Sequence, residues 1–201
     1  MVGVLIIAAV FGFVSKGRTT GQTTEVLEDE INNTIGETTM NDETKVKLET
    51  NKGDLIIKLY DDMPVTSGNF EKLVQEGFYD GILFHRIIEG FMIQGGDPLT
   101  KDPSKKSLWG TGGSTTIKDE FTHSGGNKNN GGTIAMANAG PNTGSSQFFI
   151  NLVNNNFLDT KHPAFGEVVK GMDIVDEIAK VNTDASDRPL EEVKILKATI
   201  L

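Results

Sequence analysis

A mainly β fold, a closed antiparallel barrel with two α-helices at its ends, is what this sequence predicts. Three observations lead there. Short apolar runs recur from residue 45 onwards, Gly-rich loops separate them, and two stretches place apolar residues at helical spacing. Many short strands with turn signals between them, and few helices, are the pattern of a barrel.

The first strand runs from Lys45 to Thr50, where Val46, Leu48 and Thr50 alternate with Lys45, Lys47 and Glu49. A period of two puts one set on a buried face and the other in water. Asn51-Lys52-Gly53 supplies a turn, and Leu55, Ile57 and Leu59 resume the alternation, so the two runs form a hairpin. After Pro64, VTSGNFEKLVQEG reads as a helix with Phe70, Leu73 and Val74 on one face. Thr66 or Ser67 is its expected cap and Gly77 its stop. ILFHRII, FMIQGG, TIAMAN and QFFINLV follow as short strands. GMDIVDEIAKV, residues 171–181, is the second helix, with Met172, Val175, Ile178 and Ala179 in one stripe. VKILKATIL closes the chain as a last strand.

Two segments precede this domain. Residues 1–14, MVGVLIIAAVFGFV, are apolar without a break, and Lys16 and Arg18 follow. The run is shorter than the roughly 20 residues of a membrane span, and no basic residues lead it as they lead a secretory signal. Its apolarity still marks it as a signal or membrane-anchor segment, with an extra core element as the alternative. The protein is therefore expected to be membrane-associated or exported. The positive-inside rule places Lys16 and Arg18 in the cytoplasm, whereas export would carry all that follows across, so the side of the membrane stays open. Residues 15–44 are rich in Thr, Asn, Gly and acids and bury too little to fold alone, which makes them an acidic flexible linker. Asn32-Asn33-Thr34 fits the glycosylation pattern, a match common by chance.

The 201 residues carry a formal charge of −9 and no cysteine. Residues 1–44 hold two basic and seven acidic residues, and residues 45–201 hold 17 and 21. An acidic chain lacks the basic surface that nucleic acid requires, so no nucleic-acid partner is expected. Without cysteine there is no disulfide, no thiol catalysis and no thiolate metal site. GTGGST, residues 110–115, resembles a phosphate loop but lacks the Lys-Ser/Thr that completes one. No Gly-x-Ser-x-Gly elbow occurs. His85, His123 and His162 show no metal-ligand spacing. Hydrolytic and metal chemistry are poorly supported, and no cofactor is implied.

What remains is FHRIIEGFMIQGGDP, residues 84–98, where one arginine stands among apolar side chains. Neighbours on a strand point to opposite faces, so His85 and Arg86 do different jobs. Arg86 can share a face with Phe84 and Ile88, and Met92 with Gln94. An arginine near apolar side chains must be paired or used. The plain alternative is a salt bridge to Glu89 or Asp97.

A second stretch favours use. TIAMANAGPNTGSSQFFINLVNNNFLDTKHPAFGEV spans residues 133–168. Together with FHRIIEGFMIQGGD and WGTGGS it resembles the cyclophilin family of peptidyl-prolyl isomerases, over about residues 45–201. The resemblance implies an eight-stranded closed antiparallel barrel capped by two helices. It puts the family's essential arginine on Arg86. The apolar proline pocket falls on Phe91, Met92, Phe149 and Leu158, and its polar neighbours on Gln94, Gln147 and His162. Ala137, Asn138 and Ala139 would pair with the substrate backbone, and Gly110 would border the groove. Phe157 stands where many members carry tryptophan, so cyclosporin is expected to bind weakly. The implied partners are proline-containing polypeptides, and a monomer is expected. The implied activity needs no nucleophile, acid or base, because rotating an amide makes and breaks no σ bond. A proline-binding module without turnover is the alternative; Arg86 speaks against it, since a pure binder has little need of that cation.

Overall fold

The computed structural model describes residues 43–201. The signal or anchor, nearly all of the linker and the glycosylation pattern lie outside the described residues. Among the described residues no helix is long and apolar enough to cross a membrane.

Eight strands form one antiparallel sheet: β1 (Lys45–Thr50), β2 (Gly53–Leu59), β3 (Arg86–Ile88), β4 (Met92–Gly95), β5 (Thr133–Met136), β6 (Phe148–Asn151), β7 (Ala164–Lys170) and β8 (Ile195–Ile200). Their order is β3-β4-β6-β5-β7-β2-β1-β8. Two α-helices accompany them, α1 (Thr66–Gln75) and α2 (Met172–Ala179).

The expected barrel is open rather than closed. The sheet curls into a half-barrel whose edges, β3 and β8, share no ladder. Irregular backbone spans the gap instead. Phe84 N–H donates to Val193 O, Gly81 N–H to Ile195 O and Ile195 N–H to Ile82 O, all at 2.8–2.9 Å. The expected strand over residues 82–88 shrinks to three residues. The chain enters it through Gly81, whose φ of +82° is incompatible with extended pairing.

Two other expectations also change. α1 carries no side-chain cap of its own. The Glu120 carboxylate, 54 residues away, accepts from Thr66 N at 2.8 Å and from Val65 N at 3.2 Å, and so takes over two orphan donors of the first turn. Strand β7, AFGEVVK, was absent from the expected elements because Gly166 interrupts its apolar run. That glycine is required: a Cβ there would stand 2.5 Å from Lys58 O on the paired strand.

Alternation sorts the side chains by face. Ile87, Ile93, Ile134, Phe148 and Ile150 enter the main core, where Phe148 meets the ring edges of Phe70, Tyr79 and Phe84. Their neighbours Met92, Ala135 and Phe149, with Ala164, form a second apolar cluster on the opposite face, flanked by Ile88, Phe91, Ala137 and Leu158.

Candidate active site

Register builds the site on that opposite face. Arg86 pairs with Gln94, Gln94 with Phe149, and Phe149 with Ala135, which makes one row across β3, β4, β6 and β5. Residues directly opposite in antiparallel ladders share a face. A second row sets Met92 between Ile88 and Asn151. Thus one cation, one amide and an apolar ring lie side by side, although the sequence separates them by up to 63 positions.

These residues open into a cavity of about 310 Å³, lined by Arg86, Phe91, Met92, Gln94, Ala137, Asn138, Phe149, Leu158 and His162. That is near the small end of ligand sites, a size for one ring rather than a large molecule. An adjoining cavity of about 490 Å³ shares Gln94, Ala137 and Asn138 and adds Gly110, Ala139 and Gln147. Twelve of the thirteen expected site residues therefore line one of two adjacent cavities. Phe157 lines neither; it is 67% exposed and stacks on Phe91 at 6.0 Å between ring centres.

The polar walls are held from behind. Gln94 Nε2 donates to Gln147 Oε1 at 2.9 Å, and Gln147 Nε2 donates to the carbonyls of Gly110 and Gly112. The loop bearing those carbonyls hangs on Asp97. Its carboxylate is fully buried and accepts from the backbone N–H groups of Leu99, Gly110 and Gly112. His162 meets Phe149 edge to face and its Nδ1 contacts Met136 O at 3.0 Å. Its own carbonyl accepts from Asn127 and Asn129. Asn155 donates to Phe91 O and to Asn151 Oδ1, which ties the segment bearing Leu158 to the sheet. The Asn138 side chain donates to Lys161 O and accepts from Gly140 N, and its backbone N–H and C=O take no partner among the described residues.

Arg86 is paired, though with neither Glu89 nor Asp97. Its Nε lies 3.3 Å from Asp187 Oδ2. Sequence reading missed Asp187, the loop-anchoring role of Asp97, and Asn127, Asn129 and Asn155. Only Asp97 had a local signal, since an Asp before Pro98 is a capping pattern, and it does cap the short 3₁₀ turn Pro98–Lys101.

His85 points away from the cavity. It is 4% exposed, and neither ring nitrogen has a hydrogen-bond partner among the described residues. Burial pushes its pKa down to about 4; Asp97 opposes that, while Arg188 and Arg86 add to it. A folded pKa below the ordinary histidine value of about 6.5 means that the unfolded chain binds more protons between those limits. Stability from neutral His85 is then complete above pH about 6.5 and is lost as pH falls towards 4, by about 3 kcal/mol in all. Melting curves from pH 7 to 4 should show a steeper fall for wild type than for His85→Gln. Parallel curves would mean that His85 protonates freely in the folded protein.

The family described as cyclophilin type peptidyl-prolyl cis-trans isomerase/CLD matches residues 45–200. Over 157 residues the chain is 45% identical to the peptidyl-prolyl cis-trans isomerase ppi1 of Schizosaccharomyces pombe, covering 78% of this chain and 98% of that one. Over 156 residues it is 49% identical to the peptidyl-prolyl cis-trans isomerase CYP71 of Arabidopsis thaliana, covering 77% of this chain and 24% of that longer protein. A solved cyclophilin type peptidyl-prolyl cis-trans isomerase of Cryptosporidium parvum, in the presence of the dipeptide Ala-Pro, superposes with a TM-score of 0.70 at 32% identity, covering 78% of this chain and 98% of that one. With the family model matching residues 45–200 and the ppi1 isomerase matched along 98% of its length, the chain belongs to the cyclophilin-type peptidyl-prolyl cis-trans isomerases.

Proposed function

We propose that this isomerase turns X-Pro bonds in the Arg86 cavity, with proline-containing polypeptides as substrates and protein folding as the process served. The observation that carries this is the row Arg86, Gln94, Phe149 on one sheet face, opening into one ring-sized cavity. Planar cis and trans forms of an X-Pro bond differ by about 0.5–1 kcal/mol, yet the barrier between them is about 18–20 kcal/mol because rotation breaks amide resonance. Uncatalysed exchange takes roughly 10–100 s.

In the twisted amide the nitrogen lone pair is no longer shared with the carbonyl, so it accepts a hydrogen bond better. A guanidinium N–H aimed at that nitrogen, or at the turning carbonyl, stabilises the twisted state more than the planar ones. Such a differential is what accelerates a reaction. Phe91, Met92, Phe149 and Leu158 grip the proline ring. The unpaired Asn138 backbone holds the flank that stays still while the other side rotates.

The test is cis-to-trans exchange of an Ala-Pro peptide, with peptide affinity measured in parallel. Acceleration is the expected result. Binding without acceleration would leave a proline-binding module and end the catalytic assignment. Residues 1–14 direct the domain to a membrane or out of the cell in the same proposal. Fractionation of the full chain against one starting at Ser15 checks that, and identical distributions would reject it.

Phe157 offers no N–H where an indole would. Phe157→Trp should tighten cyclosporin binding by about tenfold, the worth of one hydrogen bond of about 1.4 kcal/mol, with peptide turnover nearly unchanged. Calorimetric titration showing equal affinity would clear Phe157 of responsibility for weak binding.

A further inference from the structure

We infer that Asp187 is a positioning residue: it aims the guanidinium of Arg86 and so sets the turnover rate without touching substrate. This rests on the catalytic role proposed for Arg86. Asp187 lies 101 residues from Arg86 in sequence, yet holds β3 at two consecutive positions. Its carboxylate accepts from Arg86 Nε at 3.3 Å, and its carbonyl accepts from Ile87 N at 2.8 Å.

The turn that carries it is built for this. Asp187 sits at φ +60°, a left-handed conformation that costs a residue with a side chain and that Asp tolerates better than most. Asp184 holds it there. Asp184 O accepts from Asp187 N at 3.0 Å, and Asp184 Oδ1 accepts from Ser186 N at 2.8 Å and Arg188 N at 3.1 Å. Those backbone donors keep the Asp184 carboxyl below the usual carboxylate range.

The geometry favours aim over stability. The pair is half-exposed, 44% and 43% at the two side chains, and pairs of that kind add little to stability. What the carboxylate does is occupy Nε. The guanidinium is a rigid planar fork, so fixing Nε–H fixes the plane in which the remaining donors lie. Those terminal nitrogens have no hydrogen-bond partner among the described residues, and Arg86 borders the cavity. A long side chain left unpinned would spread over several rotamers. Turnover depends on a donor aimed within a narrow cone, whereas peptide affinity rests mainly on the apolar wall. Losing the pin should therefore lower kcat and spare KM.

The full chain would be assayed on an Ala-Pro peptide as wild type, Asp187→Gly, Asp187→Asn, Arg86→Ala and Arg86→Ala/Asp187→Gly. Glycine accepts φ +60° without strain, so Asp187→Gly removes the carboxylate and leaves the turn. The expected result is kcat down about tenfold in Asp187→Gly, or about 1.4 kcal/mol, and down about threefold in Asp187→Asn, whose amide oxygen still accepts a weaker, uncharged bond. KM should stay within about twofold, and the Arg86 Nε–H resonance should shift in Asp187→Gly. In the Arg86→Ala background the glycine should cost nothing more. Unchanged kcat in Asp187→Gly, a change in KM alone, or the same tenfold loss on top of Arg86→Ala would overturn the assignment. Wild-type turnover in Arg86→Ala would instead reject the role of Arg86, and Asp187 with it, before any change at 187 is considered.

Discussion

Arg86→Ala should lower kcat/KM for an Ala-Pro peptide by about 10²–10³-fold while leaving peptide affinity within about threefold of wild type. An acceleration of five decades requires about 7 kcal/mol, at roughly 1.4 kcal/mol per decade. Loss of one preorganised donor elsewhere costs about 2.7–4 kcal/mol, which is about half of that requirement. Orientation of the ring and its flanks supplies the remainder. The substitution leaves the apolar wall of Phe91, Met92 and Phe149 in place, so the wall keeps binding proline in the variant. Folding should also be unharmed, because Arg86 is half-exposed and its pair with Asp187 is screened by water. Arg86→Lys keeps the charge but not the planar fork, so it should fall between the two. Exchange spectroscopy measures rate and affinity on one sample. Turnover of Arg86→Ala within about tenfold of wild type would transfer the catalysis to the grip on the ring.

The second large effect concerns stability. Asp97→Ala should destabilise the domain by about 3–5 kcal/mol and lower its melting temperature by roughly 10 °C. The Asp97 carboxylate is fully buried and is the acceptor for three backbone N–H groups, those of Leu99, Gly110 and Gly112. Alanine would leave those donors without a partner, two of them in the loop that borders the second cavity. Asp97→Asn should be little better, since one face of an amide carries N–H groups that would confront the same donors. Because Gln147 is anchored on Gly110 O and Gly112 O, activity measured below the melting point should fall modestly, through loss of the wall beside Gln94. Scanning calorimetry decides the matter. A shift under about 2 °C is less than one such hydrogen bond is worth and would mean that water replaces the carboxylate there.

Much of the sheet was legible because half-buried strands write their period into the sequence. Val46, Leu48, Leu55 and Ile57 were expected on one face of a hairpin, and the pairs Val46–Ile57 and Leu48–Leu55 lie buried opposite each other. The stripe Val175, Ile178 and Ala179 is buried on α2. Where the local pattern failed, a distant neighbour had overridden it. Gly166 breaks the run of β7 because Lys58 O approaches it. Thr66 and Ser67 do not cap α1 because Glu120 does. Ser67 instead donates to Tyr60 O and Phe165 O. The closed barrel, too, was a local inference carried too far: residues 82–85 look like strand but are bent into the gap between β3 and β8.

For the cavity, the split is similar. The sequence by itself determined which side chains share a face within the regular strands, and the order of motifs that marks the family. Both follow from chemistry within a few residues: alternation, turn glycines, the arginine among apolar neighbours. Phe84, expected beside Arg86, lies instead in the main core against Phe148, because residues 82–85 leave the strand. Only the tertiary structure decided that Arg86 lies beside Gln94 and Phe149, that its Nε belongs to Asp187, and that Asp97 supports the loop under Gln147. Those contacts join positions up to 101 residues apart. They come from ladder register and from packing once the loops have closed, and neither leaves a periodic mark on the residues concerned.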